Sequence, residues 1–258
     1  MANAIEISDL KVCYKDRVVL ERISLEVREG DFLGIIGKNG SGKTTLLKSI
    51  LCFSDYQGEI VIFGRDNQHL SAVDRAKLIS YVPQRKQLYF PFRVKDFVSL
   101  SRYAYANSFW SKDPARAEKT EHALELLQIG SISERTIDTL SGGELQKVYL
   151  ASAVAQESKI ILLDEPSTFL DPSAEDEIYE LLARINKELS VTVVVVSHNI
   201  NHTLSSSNRV VALESGNVFF DGTCDELLSQ GVLNDVFSTN FVEVIHPHTN
   251  KQLVLPSC

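Results

Sequence analysis

Apolar and polar positions alternate from Ile5 to Val27 (IEISDLKVCYKDRVVLERISLEV), with a polar break near Lys15 to Arg17. A period of two marks strands with one buried face, so this stretch predicts antiparallel strands. GEIVIFG, from Gly58 to Gly64, repeats the pattern. Elsewhere the apolar runs are continuous. DFLGII, KIILLDEP and VTVVVVSHN read as short buried strands, the last two parallel, and RVVALESGNVFFDG reads as an antiparallel hairpin turning at Ser215 to Asn217. The sheet is therefore expected to be mixed.

Between Gln84 and Leu140 the strand pattern stops. VKDFVSLSRY and DPARAEKTEHALELLQ read as helices, the second with Asp113 at its N-cap and Pro114 at its first helical position. LSGGELQKVYLASAVAQE begins another at Ser141, and Ser141 with Glu144 fits the S-x-x-E capping box. TTLLKSIL, behind DFLGII, places Leu46, Leu47, Ile50 and Leu51 on one helix face. The expected class is α/β: a mixed sheet, an antiparallel β patch and an inserted helical subdomain over 84–140. The chain shows no internal repeat, low-complexity tract or sustained heptad.

A length of 258 residues and an apolar fraction of 44% suit one such domain or two small ones. The net charge of −8 argues against a broad electropositive face for nucleic acid. Cys13, Cys52, Cys224 and Cys258 have no CxxC spacing and read as free thiols of a reducing compartment. The opening MANAIEISDLKVCY has neither the basic start nor the apolar core of a signal peptide. VTVVVV falls far short of the roughly 20 apolar residues a membrane helix needs. A soluble protein is expected, reaching any membrane through a partner.

The chemistry concentrates in GIIGKNGSGKTTLLKSI, Gly34 to Ile50. Gly37, Gly40 and Gly42 allow dihedrals a side chain would forbid, so backbone N–H groups of the loop, Asn39 and Ser41 included, can turn inward as an anion cradle. Lys43 can reach outer phosphates, and Thr44, followed by Thr45, can offer its hydroxyl to magnesium at a helix start. A plain glycine-rich turn is the alternative, but the strand–loop–helix frame favours phosphate. In KIILLDEP, Asp164 and Glu165 stand just past the apolar strand, where adjacent carboxylates suit magnesium and an attacking water better than a solvated strand end. The capping box alone does not explain why Gly142 and Gly143, poor helix formers, occupy a first turn; bare N–H groups there make a second anion site. His198 follows another strand, so Gly37, Asp164 and His198 are expected at the carboxyl edge of one sheet. His198 and His202 have the spacing of a metal pair, but no third ligand lies nearby in sequence. His246 and His248 flank Pro247 in an expected turn.

GKNGSGKTT, YVPQ, LSGGE, IILLDEPSTFLD and VVSHN stand in the order and approximate spacing of an ABC-transporter ATPase subunit, which the chain resembles over essentially its whole length. The resemblance implies a P-loop NTPase core in a single domain over 1–258. It divides that domain into a nucleotide-binding core (1–83 and 141–240), a helical subdomain (84–140) and a hairpin tail (241–258). It implies ATP and Mg2+ as cofactors. Tyr14 would face adenine, and Gly37 through Asn39, Gly40, Ser41, Gly42, Lys43, Thr44 and Thr45 would hold the phosphates. Thr44, Gln84 and Asp164 would meet the metal. Ser141, Gly142 and Gly143 would clasp ATP bound to the opposite subunit, near Asp171 at the interface. Glu165 would polarise the attacking water and His198 would contact the γ-phosphate. Departures from the family pattern are Glu144 for the frequent glutamine, Leu145 and Lys147 where Gln or Arg is common, and Asn199 where Asp often follows the histidine. They bear on rate more than on reaction.

ISYVPQ, FPFRVKDFVSLSRY, EPSTFLD and VEVIHPHTNKQLVLP are similar to the branch that imports iron–siderophore complexes, haem or cobalamin. Zinc and manganese importers share parts of this pattern. The resemblance implies a homodimer, an integral-membrane permease, an extracytoplasmic substrate-binding protein reached through that permease, no nucleic acid, and a peripheral place on the cytoplasmic face of the membrane. Tyr89, Phe90 and Phe92 line either the groove for the permease or the subdomain's own core. A soluble ABC ATPase of iron–sulfur assembly or DNA repair is the rival, with acidic charge and the lack of a coiled-coil insertion against DNA repair. A nucleotide-binding regulator without turnover is a third reading, disfavoured by Glu165 and His198.

Overall fold

The computed structural model describes residues 2–15, 17–84, 91–106, 113–245 and 252–257. Tyr89, Phe90, His246, His248 and Cys258 lie outside them. In chain order the elements are β1 (Asn3–Tyr14), β2 (Arg17–Arg28), β3 (Phe32–Ile36), α1 (Lys43–Ile50), β4 (Gln57–Ile62) and β5 (Arg65–Asp66). Next come α2 (Ala72–Leu78), β6 (Ile79–Val82), α3 (Val94–Leu100), α4 (Arg116–Leu126), α5 (Gly142–Ala155), β7 (Ile160–Asp164) and α6 (Pro172–Leu189). The remainder is β8 (Thr192–Val196), α7 (Ile200–Ser206), β9 (Arg209–Glu214), β10 (Asn217–Gly222), α8 (Cys224–Ser229), α9 (Val232–Phe237), β11 (Phe241–Ile245) and β12 (Gln252–Pro256). Two compact units form, Met1–His69 with Thr192–Cys258, and Leu70–Val191.

In the first unit the alternating sequence becomes an antiparallel sheet: β1 pairs with β2 (Ile7 opposite Leu25) and with β4 (Ile7 opposite Ile60). The polar break falls where it is expected, with Lys15 at positive φ between β1 and β2. The continuous runs form a second ladder, in which β3 lies parallel to β8 and to β9 while β10 turns back antiparallel on β9. Every residue of β3 and β8 is buried, as apolar strands covered on both faces must be. Ser215 and Gly216 both have positive φ (49° and 81°), the two-residue turn whose twist matches a hairpin. Gly216 cannot be replaced there without a clash, because a Cβ would lie 2.4 Å from the Val19 carbonyl oxygen.

In the second unit β6 and β7 are parallel (Ile79 opposite Ile160), and α5 packs against α3, α4 and α6. α5 buries Leu145, Val148, Tyr149, Leu150, Ala151, Ala153 and Val154, so it is apolar around most of its circumference; Phe97 of α3 meets Tyr149 edge-on at 5.7 Å. One expectation needs correction. α4 starts at Arg116 with Ala115 as its N-cap, not at Pro114 after Asp113. Asp113 is instead drawn into an ion pair: its Oδ2 accepts from Arg102 Nε at 2.6 Å while its Oδ1 accepts from the Ala115 N–H at 3.1 Å. Arg102, 3% exposed, also donates to the Ala155 carbonyl and the Glu157 carboxylate. A buried guanidinium must be answered by charge, which outweighs one capping bond. Among the described residues no helix is long and apolar enough to cross a membrane.

Candidate nucleotide site

The loop between β3 and α1 is shaped by its glycines. Gly37, Gly40 and Gly42 have φ of 148°, 83° and 104°. A Cβ on Gly37 would lie 2.2 Å from the Leu213 carbonyl oxygen, and one on Gly42 would lie 2.4 Å from Leu20 Cδ2. Two of the three are thus required by space as well as by dihedral. The Ser41 carbonyl accepts from the Gly216 N–H at 3.2 Å, which ties the loop to the β9–β10 turn. Lys43 is 5% exposed and its Nζ donates to the Gly37 and Lys38 carbonyls at 2.7 and 3.0 Å. Ser41 Oγ is buried and has no hydrogen-bond partner among the described residues. An orphaned buried hydroxyl costs about 1–3 kcal/mol, so the loop is suited to a ligand oxygen that would meet it. Thr44 and Thr45 open α1, both half-buried.

Tyr14 ends β1, 46% exposed, with its hydroxyl 2.9 Å from Ser54 Oγ, so its tip is fixed while much of its surface stays accessible. His198, exposed, follows β8, whose neighbour is β3, and the Ser197 N–H donates to the Ile35 carbonyl at 3.1 Å. The first unit therefore brings the loop between β3 and α1 and His198 to the ends of adjacent parallel strands. His202 is engaged through its backbone N–H, which donates to the Asn199 side chain.

In the second unit, Gln84 follows β6 and Asp164 ends β7. Gln84 Nε2 donates to Glu165 Oε2 at 2.9 Å, and Thr168 Oγ1 donates to the same oxygen at 3.0 Å. Glu165 has a φ of 49°, uncommon for a residue with a side chain and costly by about 1–3 kcal/mol. Asp164 is 3% exposed and accepts from the Tyr81 hydroxyl at 3.3 Å. Burial and then the Asp164 carboxylate push the Tyr81 hydroxyl well above its ordinary range. Tyr81 and Thr168 were not expected from sequence. Their proximity to the motifs, in ISYVPQ and EPSTFLD, was the available signal.

Ser141 caps α5 in a complete capping box. Its Oγ accepts from the Glu144 N–H at 3.3 Å, and Glu144 Oε2 accepts from the Ser141 N–H at 2.8 Å. Those Ser141 bonds, helped by Arg135 at 2.9 Å, hold the Glu144 carboxyl below its usual value. Gly142 and Gly143 form the first turn as expected. A cleft of about 270 Å³ is lined by Ser141, Gly142, Gly143, Phe169 and Asp171 among others. Asp171 is the N-cap of α6, accepting from the Ala174 N–H at 3.0 Å, with Pro172 next. The unit thus gathers Ser141, Gly142, Gly143 and Asp171 on one cleft, and joins Gln84 to Glu165.

A family model for the ABC transporter matches residues 20–168. The chain is 33% identical over 254 residues to the iron(3+)-hydroxamate import ATP-binding protein FhuC of Bacillus subtilis, covering 98% of this chain and 94% of that one. It is 29% identical over 250 residues to the ferric enterobactin transport ATP-binding protein FepC of Escherichia coli, covering 96% and 92%. Among solved structures it is similar to an inward-facing metal-chelate type ABC transporter (TM-score 0.87, 26% identity, 100% and 98% covered). It is also similar to a dimeric post-hydrolysis state of the ATP-binding cassette MJ0796 bound to ADP and Pi (TM-score 0.73, 27% identity, 85% and 98% covered). With the family model spanning more than half of the chain and its relatives nearly all of it, the protein belongs to the ABC transporter family, among the ATP-binding ATPase subunits.

Proposed function

We propose that this chain hydrolyses ATP as one half of a head-to-tail homodimer on the cytoplasmic face of a membrane, driving a permease that imports a metal chelate such as an iron–siderophore complex, haem or cobalamin. The observation that carries the ATPase part is Glu165. A carboxylate at a strand end, aimed by two hydrogen bonds and held at positive φ, suits the activation of water. The chelate is supported by the relatives, whose names specify hydroxamate and enterobactin iron complexes, and the dimer by the MJ0796 cassette. An extracytoplasmic binding protein would deliver the chelate to the permease.

The roles follow the chemistry of each group. Gly37 to Thr45 cradle the phosphates, with Ser41 Oγ and the Lys43 ammonium turned to their oxygens, and Tyr14 offers a face to the adenine. Thr44, Gln84 and Asp164 are oxygen donors, the kind Mg2+ takes, and would hold it. When bound, that ion would neutralise charge on the outer phosphates. Glu165 orients and polarises water, His198 steadies the γ-phosphate, and Ser141, Gly142 and Gly143 present N–H groups to ATP of the other subunit beside Asp171. In domain terms, 1–83 and 141–240 act as the core, 84–140 as the helical subdomain and 241–258 as the tail.

Glu165→Gln keeps the hydrogen-bonding shape and removes the base. It should bind ATP, lower phosphate release by about a hundredfold or more, and abolish uptake of radiolabelled iron–siderophore, haem or cobalamin in cells while sparing zinc and manganese uptake. Turnover at the wild-type rate would remove Glu165 from the mechanism. Loss of zinc or manganese uptake instead would move the cargo.

A further inference from the structure

His198 sits between β8 and α7, and its backbone is set by the helix that begins beside it. The Asn199 N–H donates to Ser197 Oγ at 2.9 Å, and the Asn199 side chain caps α7 by accepting from the His202 N–H at 3.2 Å. The Thr203 hydroxyl donates to the Asn199 carbonyl at 2.9 Å. A helix of seven residues does not stabilise itself, so tertiary anchors must place it. One anchor is the close approach of α7 to β3: a Cβ on Gly34 would lie 2.2 Å from Thr203 Cγ2.

The other anchor comes from the β11–β12 hairpin. Asn201 Nδ2 donates to the Val254 carbonyl at 3.1 Å, and Asn201 Oδ1 accepts from the Val254 N–H at 2.8 Å. A side-chain amide here supplies both halves of a strand-like pairing. Val254 is 3% exposed in an apolar cluster with Ile36, Val210, Ala212 and Val236, and Ile200 and Leu204 of α7 pack on the same cluster. Ile36 is the residue before Gly37. The Lys38–Ser238 bond, 2.7 Å but exposed, is a second and weaker tie between the phosphate loop and the segment ahead of β11. Losing the Asn201 amide would strand a buried N–H and a carbonyl of Val254, so Asn201 is the stronger lever.

We propose that Asn201, clamped to the Val254 backbone, is a positioning residue that makes the β11–β12 hairpin set the register of α7 and, through it, of His198 for ATP hydrolysis. This rests on the reading of His198 as the γ-phosphate contact. The hairpin then has a catalytic consequence although it contributes no group to the phosphates. A purely structural staple would lower stability without depending on His198.

The test is a double-mutant cycle on the full chain, with phosphate release, ATP KM and thermal unfolding read together. Asn201→Leu should lower kcat about tenfold at an ATP KM within about twofold, the pattern of a misplaced transition-state contact. In a His198→Ala background the same change should lower the residual rate by less than about twofold, because the group it positions is gone. Should Asn201→Leu not fold, Asn201→Ser, too short to bridge both Val254 groups, is read the same way. A wild-type kcat in the folded variant, or an equal loss in both backgrounds, would overturn the inference alone. If His198→Ala itself turned over at the wild-type rate, the reading of His198 would fall and the inference with it.

Discussion

Lys43 shows how much of the site is decided by single residues. Its ammonium is buried, with the Gly37 and Lys38 carbonyls among its partners. Carbonyls are neutral acceptors, whereas the phosphates of ATP are charged ones and bind it more strongly. Lys43→Ala should therefore weaken ATP binding by roughly thirtyfold, corresponding to about 2 kcal/mol for a lost charge-assisted contact. A nucleotide titration checks this, and unchanged affinity would count against the cradle. The placement of Lys43 at the end of a glycine loop was legible in the sequence because that loop is built from contiguous residues, with spacing that is itself the geometry. The partners of Asp164 and Asn201 were not, since Tyr81 and Val254 reach them from 83 and 53 positions away. No local pattern encodes such a meeting.

At the scale of elements, α5 is the clearest case of a motif with two meanings. Its capping box forms as the S-x-x-E pattern predicts, because the bonds run between residues three apart. Where the family often has glutamine, Glu144 adds a charge at a helix N-terminus and a pair with Arg135. Glu144→Gln keeps the box and should lower stability at neutral pH by about 0.5–1 kcal/mol. The sign with pH follows from the carboxyl being held below its ordinary value. Its contribution is complete above the unfolded value, near 4.3, and is lost as pH falls through the lower folded one. Melting points of the two proteins should differ by a constant amount from pH 7 to about 5 and draw together as the pH falls below the ordinary glutamate value. A gap that does not shrink on acidification would assign the stability to shape instead of charge. The start of α4 differs from its expectation for the opposite reason: Asp-Pro is a sound local signal, but Arg102, eleven positions away, pairs with the Asp113 carboxylate through tertiary contact.

For the whole molecule, the strand ladders were legible in outline. Alternation marked the antiparallel sheet of β1, β2 and β4, and unbroken apolar runs marked β3, β7 and β8. Pairing order and register needed the structure, because buried apolar strands are interchangeable as text. On the proposed reading, the cleft of Ser141, Gly142, Gly143 and Asp171 serves ATP held by another subunit. If so, Lys43 and Ser141 of one chain belong to different composite sites. The most direct measurement places Lys43→Ala and Ser141→Arg, each in a Glu165→Gln background, separately and as an equimolar mixture in ATP, and follows dimer formation by sedimentation. With ATP held above the dissociation constant of the intact loop and below the roughly thirtyfold higher one of Lys43→Ala, neither variant should dimerise alone, the first because little ATP is bound and the second because bulk and charge fill the cleft. In the mixture one intact loop meets one intact cleft, so a heterodimer should appear. A mixture that stays monomeric, or a Ser141→Arg protein that dimerises by itself or loses ATP binding as a monomer, would contradict the head-to-tail site and leave the glycine turn as a helix cap alone.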